Sequence, residues 1–196
     1  MVSRQIIALS GPRACGKSTI AKHLVNNHRY TRIAFADALR DIAAVAGSNF
    51  INDRLYLARL GEKLRIQVPD FLLQAVKNRL QSIQGNVVIE DIRFPTEIDF
   101  CQSLGATTIR FEISREEQLR RLENRDGKNG DDAKQLLDCP DENLLSLTDG
   151  WNLNIIAEGD FKELAHDLHQ LCEQISFSKG MAYVLKQDST ETQEVI

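Results

Sequence analysis

The chain has 196 residues, 42% hydrophobic and 27% charged, which is enough apolar surface for one globular domain and excludes a disordered chain. Its net charge of −4 is the wrong sign for a nucleic-acid scaffold, which concentrates positive charge. No stretch reaches the roughly 18 apolar residues of a membrane span and no signal-peptide pattern opens the chain; the four cysteines, with no C-x-x-C pair, fit a reducing cytoplasm better than a disulfide or zinc framework.

Short apolar runs alternate with longer amphipathic ones, the pattern of a parallel sheet wrapped by crossover helices. Strands are expected at Gln5–Ser10, Thr31–Phe35, Asn86–Ile89, Thr107–Ile113 and Leu153–Ile156. Helices are expected at Lys17–Asn27, Ala38–Ala46, Asp53–Arg65, Asp70–Ile83, Thr96–Leu104, Glu116–Arg125 and Phe161–Ile175. The first and third strands are continuously apolar, as befits strands covered on both faces. The segment from Phe177 reads as a polar tail outside a domain of residues 1–176.

Between the first strand and first helix, Gly11, Gly16, Lys17 and Ser18 fit G-x-x-x-x-G-K-S/T in the strand-to-helix context that pattern requires. Glycines let successive N–H groups face inward, and the following helix aims its positive end at the same point. Lys17 suits the β and γ phosphates of a nucleotide such as ATP, and Ser18 suits Mg²⁺. Cys15 lies inside this loop, either as a small tucked side chain or as a thiol activated by the helix end.

Arginines recur at four further points. After the second strand, Asp37 is placed to cap a helix and Arg40 falls in its first turn, where a cation serves an anion better than it serves the helix dipole. In the third helix, Arg54, Gly61 and Arg65 share one face. A mid-helix glycine there admits either a substrate phosphate or a tightly packed neighbouring helix. At the end of the third strand, alternation puts Asp91 and Arg93 on one face, with Glu90 on the other. Asp91 suits a hydrated metal ion or the acceptor's proton, and Arg93 suits an anion. In the sixth helix, Arg121 and Arg125 share a face with Gln118, while Arg120 points to the other side. A Gly- and Asp-rich sequel makes residues 115–145 a candidate lid. No guanine-recognition N-K-x-D motif is present, and no transporter-type L-S-G-G-Q signature.

The pieces "GPRACGKST", "FADALR", "RLGEKLR", "VVIEDIRFPTE", "GATTIRFEI" and "EGDFKEL" occur in the order seen in P-loop nucleoside monophosphate kinases. The chain most resembles the phage-type deoxynucleoside monophosphate kinases over Gln5 to Ile175. That resemblance implies an α/β P-loop NTPase fold with a five-stranded parallel sheet, a small helical substrate-binding part over about residues 37–84, and a lid. It implies transfer of the γ-phosphoryl group of ATP, with Mg²⁺, to a nucleoside monophosphate. Gly11, Arg13, Ala14, Cys15, Gly16, Lys17, Ser18 and Thr19 would then hold the donor phosphates and Mg²⁺. Arg65 and Arg93 would clamp the acceptor phosphate, Asp91 would manage metal or acceptor, and Arg121 and Arg125 would close from the lid. No nucleic-acid polymer or membrane is expected as a partner, and a homodimer is compatible with the sequence. Two rival readings stay open: another small-molecule kinase, such as a dephospho-coenzyme A kinase, whose lid "REEQLRRLENRD" also resembles, and a nucleotide-dependent regulatory switch.

Overall fold

The structure, a computed structural model, describes residues 4–126, 137, 149–157, 168 and 181–184. The elements run β1 (Ile6–Ser10), α1 (Lys17–His28), β2 (Thr31–Ala34), α2 (Phe35–Ala46), a short 3₁₀ turn (Ser48–Phe50), α3 (Arg54–Gln67), α4 (Phe71–Ser82), β3 (Val87–Ile92), α5 (Pro95–Ser103), β4 (Thr107–Glu112), α6 (Arg115–Asp126), β5 (Leu153–Ile156) and β6 (Met181–Val184). The strands form one sheet in the order β2-β3-β1-β4-β5-β6, and every adjacent pair is parallel. The five expected strands are all present. A sixth, inside the segment read as a polar tail, pairs with β5 in the register Leu153↔Met181.

Alternation along the central strands sorts side chains into two cores. Ile7, Leu9 and Val88 pack with Ile20, Ala21 and Leu24 of α1. Ala8, Val87 and Ile89 pack with Leu39 of α2, Val76 of α4 and Ile98 of α5. Each fully buried Leu or Ile contributes roughly 1.5–3 kcal/mol. The layers therefore hold the carboxyl ends of β1 and β3 side by side, where an open α/β sheet binds its ligands.

Two local features depart from the sequence reading. Helix α2 begins at Phe35, not Ala38, so Asp37 is its third residue and its carboxylate accepts the Ala34 N–H at 2.8 Å. Asp37 thus satisfies the helix start by reaching back, not as the N-cap, and Arg40 falls in the second turn. Strand β3 continues past Ile89 to Ile92. Against β1 its register runs Ala8↔Ile89 and then Ser10↔Ile92, so β3 carries one extra residue there. Asp91 takes φ +62°, the left-handed conformation of a bulge. The bulge returns Ile92 to the α2 core, and simple alternation no longer applies from Asp91 to Arg93.

Candidate active site

The loop between β1 and α1 is built on backbone geometry that only certain residues accept. Gly11 has φ +141°, and a Cβ there would lie 2.6 Å from the Phe111 carbonyl oxygen of β4. Gly16, with φ +100°, is the N-cap of α1 and offers no side chain to its first turn. The N–H groups of Lys17 and Ser18, at the head of that turn, consequently stay available to an external anion, while Thr19 N–H turns to Gly16 O. Ala14 has φ +60°, at a cost of roughly 1–2 kcal/mol for a residue with a Cβ.

The loop's carbonyls are satisfied one by one. Lys17, a buried residue, donates from its ammonium to Gly11 O at 2.6 Å and Pro12 O at 2.7 Å. Gln118 Nε2 of α6 donates to Arg13 O at 2.9 Å. Arg121 Nη1 reaches Ala14 O at 3.4 Å, and the Thr19 N–H donates to Gly16 O at 2.9 Å. Cys15 is fully buried among Ile7, Leu9 and Phe111, so of its two sequence readings the tucked side chain is the one found. Ser18 and Thr19 are exposed on the first turn of α1.

Arg121 is tied to three elements. Besides Ala14 O it donates to Ala157 O after β5 at 2.9 Å and to Glu117 Oε1 at 2.7 Å. Arg120, as its helical position implies, points away; it is exposed and bonds only to Glu117 among the contacts resolved for it. The hydrogen bond from Arg120, then the bond and charge of Arg121, pull the Glu117 carboxyl down to about 2. The Arg125 side chain lies outside the described residues, as does most of the candidate lid beyond α6. Leu137, within that segment, is buried against Leu122.

Across the carboxyl end of β3 lies a second cluster. Glu97, the third residue of α5, is almost fully buried. Its Oε2 accepts from the Arg93 N–H at 2.8 Å and the Phe94 N–H at 3.2 Å, and its Oε1 accepts from Arg65 Nη2 at 2.9 Å. Arg65 also lies 3.8 Å over the Phe94 ring. Burial, opposed by these three donors, raises the Glu97 pKa above the ordinary carboxylate value. The Arg65 guanidinium and the Arg93 backbone are thereby joined through one carboxylate, which the sequence shows only as the end of the piece "VVIEDIRFPTE". The signal was present: Pro95 at the helix start and Glu two residues on mark a capped N-terminus.

The close approach expected at Gly61 comes from within the protein. A Cβ there would lie 3.1 Å from Leu39 Cδ1 of α2 and 3.0 Å from Arg65 Nη1. Gly61 lets α3 pack on α2 and lets the Arg65 guanidinium fold back along its own helix; the Arg54 side chain lies outside the described residues.

Asp37 gathers three arginines: Arg40 at 2.8 Å, Arg32 at 3.1 Å and Arg79 at 3.4 Å. Arg40 also faces Asp91 at 3.7 Å, and Arg79 pairs with Asp41. Arg32 in turn bonds Glu90 Oε2, whereas Glu90 Oε1 is buried with no hydrogen-bond partner among the described residues. Glu90 therefore lies on the Val88 side of β3, toward α1, while Asp91 at the bulge faces Arg40 of α2.

The sequence model of one family, the AAA domain, matches residues 7–143. The chain belongs to that family. No curated protein matches it. This AAA-domain chain is similar in fold to TT1252 from Thermus thermophilus, at 21% identity and TM-score 0.58, over 87% of this chain and 97% of that one. It is similar to shikimate kinase from Aquifex aeolicus, at 17% identity and TM-score 0.55, over 87% and 97% of the two chains. It is also similar to a gluconokinase from Sinorhizobium meliloti, at 17% identity and TM-score 0.54, over 89% and 96%. At these identities the likeness carries the fold, a P-loop kinase fold with a parallel sheet flanked by helices. Among the described residues, no helix of the AAA-domain protein is long and apolar enough to cross a membrane.

Proposed function

We propose that the protein transfers the γ-phosphoryl group of ATP to a nucleoside monophosphate, giving the diphosphate. The observation that carries this reading is the pairing of two cationic centres. A phosphate loop follows β1, and Arg93, whose backbone N–H shares the Glu97 carboxylate with the Arg65 guanidinium of α3, follows β3, the strand hydrogen-bonded beside it. A donor nucleotide needs the first. A second anion brought against it is what the other would hold.

Transfer of a phosphoryl group is catalysed mainly by positioning and by positive charge around its equatorial oxygens. Lys17 would leave the Gly11 and Pro12 carbonyls for the β and γ phosphates, and the open N–H groups of α1's first turn would share that charge. Arg93 and Arg65 would grip the acceptor phosphate, while Arg40 and Asp91 line the α2 side of the acceptor. Arg121 would hold the donor side closed over the loop.

The donor's Mg²⁺ fits this site on one structural ground, the buried Glu90 Oε1 at the end of β3, which has no partner among the described residues. Ser18 and Glu90, both on the α1 side, are the residues that would hold it, with substrate phosphates completing its shell, as Mg²⁺ prefers; Asp91, which the sequence offered for the metal, faces Arg40 of α2 instead. When bound, it would neutralise the charge developing between the β and γ phosphates.

The test is ADP formation from ATP with each common ribo- and deoxyribonucleoside monophosphate, alongside shikimate, gluconate and dephospho-coenzyme A. The last three are included because the similar structures bear the names of shikimate kinase and gluconokinase, and because the α6 sequence resembles a dephospho-coenzyme A kinase lid. ADP produced strongly only with a monophosphate supports the reading. Turnover with shikimate or gluconate alone would replace it by a small-molecule kinase, and slow hydrolysis indifferent to every acceptor would point to a switch.

A further inference from the structure

We propose that helix α6 aims the phosphate loop from behind: Gln118 is the positioning residue for the Ala14 N–H, and Arg121 fixes the Cys15 N–H. The inference rests on the reading of Gly11–Thr19 as the donor-phosphate site and deepens it.

A peptide unit is planar and trans, so fixing the direction of one residue's C=O fixes that of the next residue's N–H, which points the opposite way. Gln118 Nε2 holds Arg13 O at 2.9 Å from a side that is itself buried, Gln118 being 7% exposed. The Ala14 N–H must then point away from α6. Arg121 Nη1 reaches Ala14 O at 3.4 Å, which turns the Cys15 N–H the same way. A phosphate nest requires that of successive N–H groups.

The loop cannot hold this shape unaided. Ala14 sits at φ +60° with a Cβ, a conformation that persists only when its surroundings over-determine it. Most of those surroundings are α6: Ala14 packs on Leu119 and Leu122 of α6, in a cluster with Leu137, while the two polar side chains of α6 take the Arg13 and Ala14 carbonyls. Arg121 is fixed in turn by Glu117 and Ala157 O. Lys17, which holds the carbonyls of Gly11 and Pro12, would give them up on reaching a phosphate. Gln118 and Arg121 touch no phosphate through these contacts and would keep theirs, so α6 supplies the part of the loop's geometry that survives binding.

The test is Gln118→Met, which keeps the volume and removes the donor. Inorganic pyrophosphate binding by calorimetry and the donor and acceptor KM are compared with wild type, and the Ala14 amide resonance is followed by NMR. Pyrophosphate affinity should fall about tenfold and the donor KM should rise in step, with acceptor KM unchanged and the Ala14 resonance displaced. Unchanged pyrophosphate affinity in the folded variant, or equal losses for donor and acceptor, would overturn the proposal. Should Gln118→Met not fold, Gln118→Glu, which turns an acceptor on Arg13 O, is read by the same measurements. Failure of wild type to bind pyrophosphate would instead overturn the donor-site reading, and the proposal with it.

Discussion

Glu97→Gln separates a carboxylate that organises the acceptor side from one that only packs. Glu97 accepts on both oxygens, from the Arg93 and Phe94 N–H groups on one and from Arg65 on the other. A glutamine of the same size has one accepting oxygen, so its NH₂ must face either Arg65 or the two backbone donors. At least one charge-assisted bond is lost, about 1.5–3 kcal/mol, and the donor it served is left unpaired in a near-dry site. Relief of the burial cost that raises the carboxylate's pKa offsets part of this, so we expect a net loss of about 1 kcal/mol, read as a lower urea midpoint, and a fall in melting temperature of about 2–4 °C for a chain of this size. Because the Arg65 side chain and the Arg93 backbone lose their common anchor, kcat/KM for the acceptor should fall by about tenfold or more while ATP affinity is kept. A variant that melts earlier yet keeps wild-type acceptor kinetics would refute the assignment of the Arg65–Glu97–Arg93 link to the acceptor.

The remaining expectations concern charge, backbone and pH. Lys17→Ala and Arg93→Ala should each lower kcat on the order of a thousandfold, while Arg120→Ala, which loses only an exposed pair with Glu117, should stay near wild type in steady-state assays. Gly11→Ala places a Cβ 2.6 Å from the rigid Phe111 carbonyl, so it should cost several kcal/mol in urea unfolding, about the upper range for point changes, even with activity set aside. Glu97 holds its proton more tightly folded than unfolded, because its pKa is raised. Its contribution to stability is therefore present at acid pH, declines as pH rises from about 4 through the raised value, and is flat above it. Urea midpoints across that range should carry this slope in wild type and lack it in Glu97→Gln.

The parts of the fold legible in the sequence are those governed by local pattern. The five strands, the phosphate loop and the start of α1 follow from apolar runs, glycine spacing and a helical stripe, all encoded within about twenty residues of one another. What was not legible depends on distant partners. The N-terminus of α2 lies three residues earlier than its Asp suggests, since Phe35 and Ala34 are buried by neighbouring elements and Asp37 can reach back instead of capping forward. The bulge at Asp91 is set by Ile92 returning to a core formed with α2, α4 and α5, and a strand pattern read alone continues its alternation. Strand β6 is four residues in a polar context, and only its pairing with β5 makes it a strand.

The candidate site divides along the same line. The sequence offers the loop residues Gly11 to Thr19 through their own spacing, Arg65 through the helix face it shares with Gly61, and Arg93 through its place at the end of the third strand. Gln118 was missed as a functional residue because its partner is a backbone carbonyl 105 positions away, which no side-chain pattern announces. Arg121 was read as swinging over a nucleotide, and the structure finds it bonded to Ala14 O and Ala157 O. Glu90, which strand alternation puts on the other face from Asp91, is a buried carboxylate with one oxygen unpartnered among the described residues.

The most direct test of the central claim follows the phosphorus itself. In ³¹P NMR of ATP, Mg²⁺, protein and a panel of nucleoside monophosphates, a monophosphate resonance should be replaced by the two resonances of its diphosphate as ATP becomes ADP. The appearance of inorganic phosphate in place of that diphosphate, with every monophosphate left intact, would contradict it.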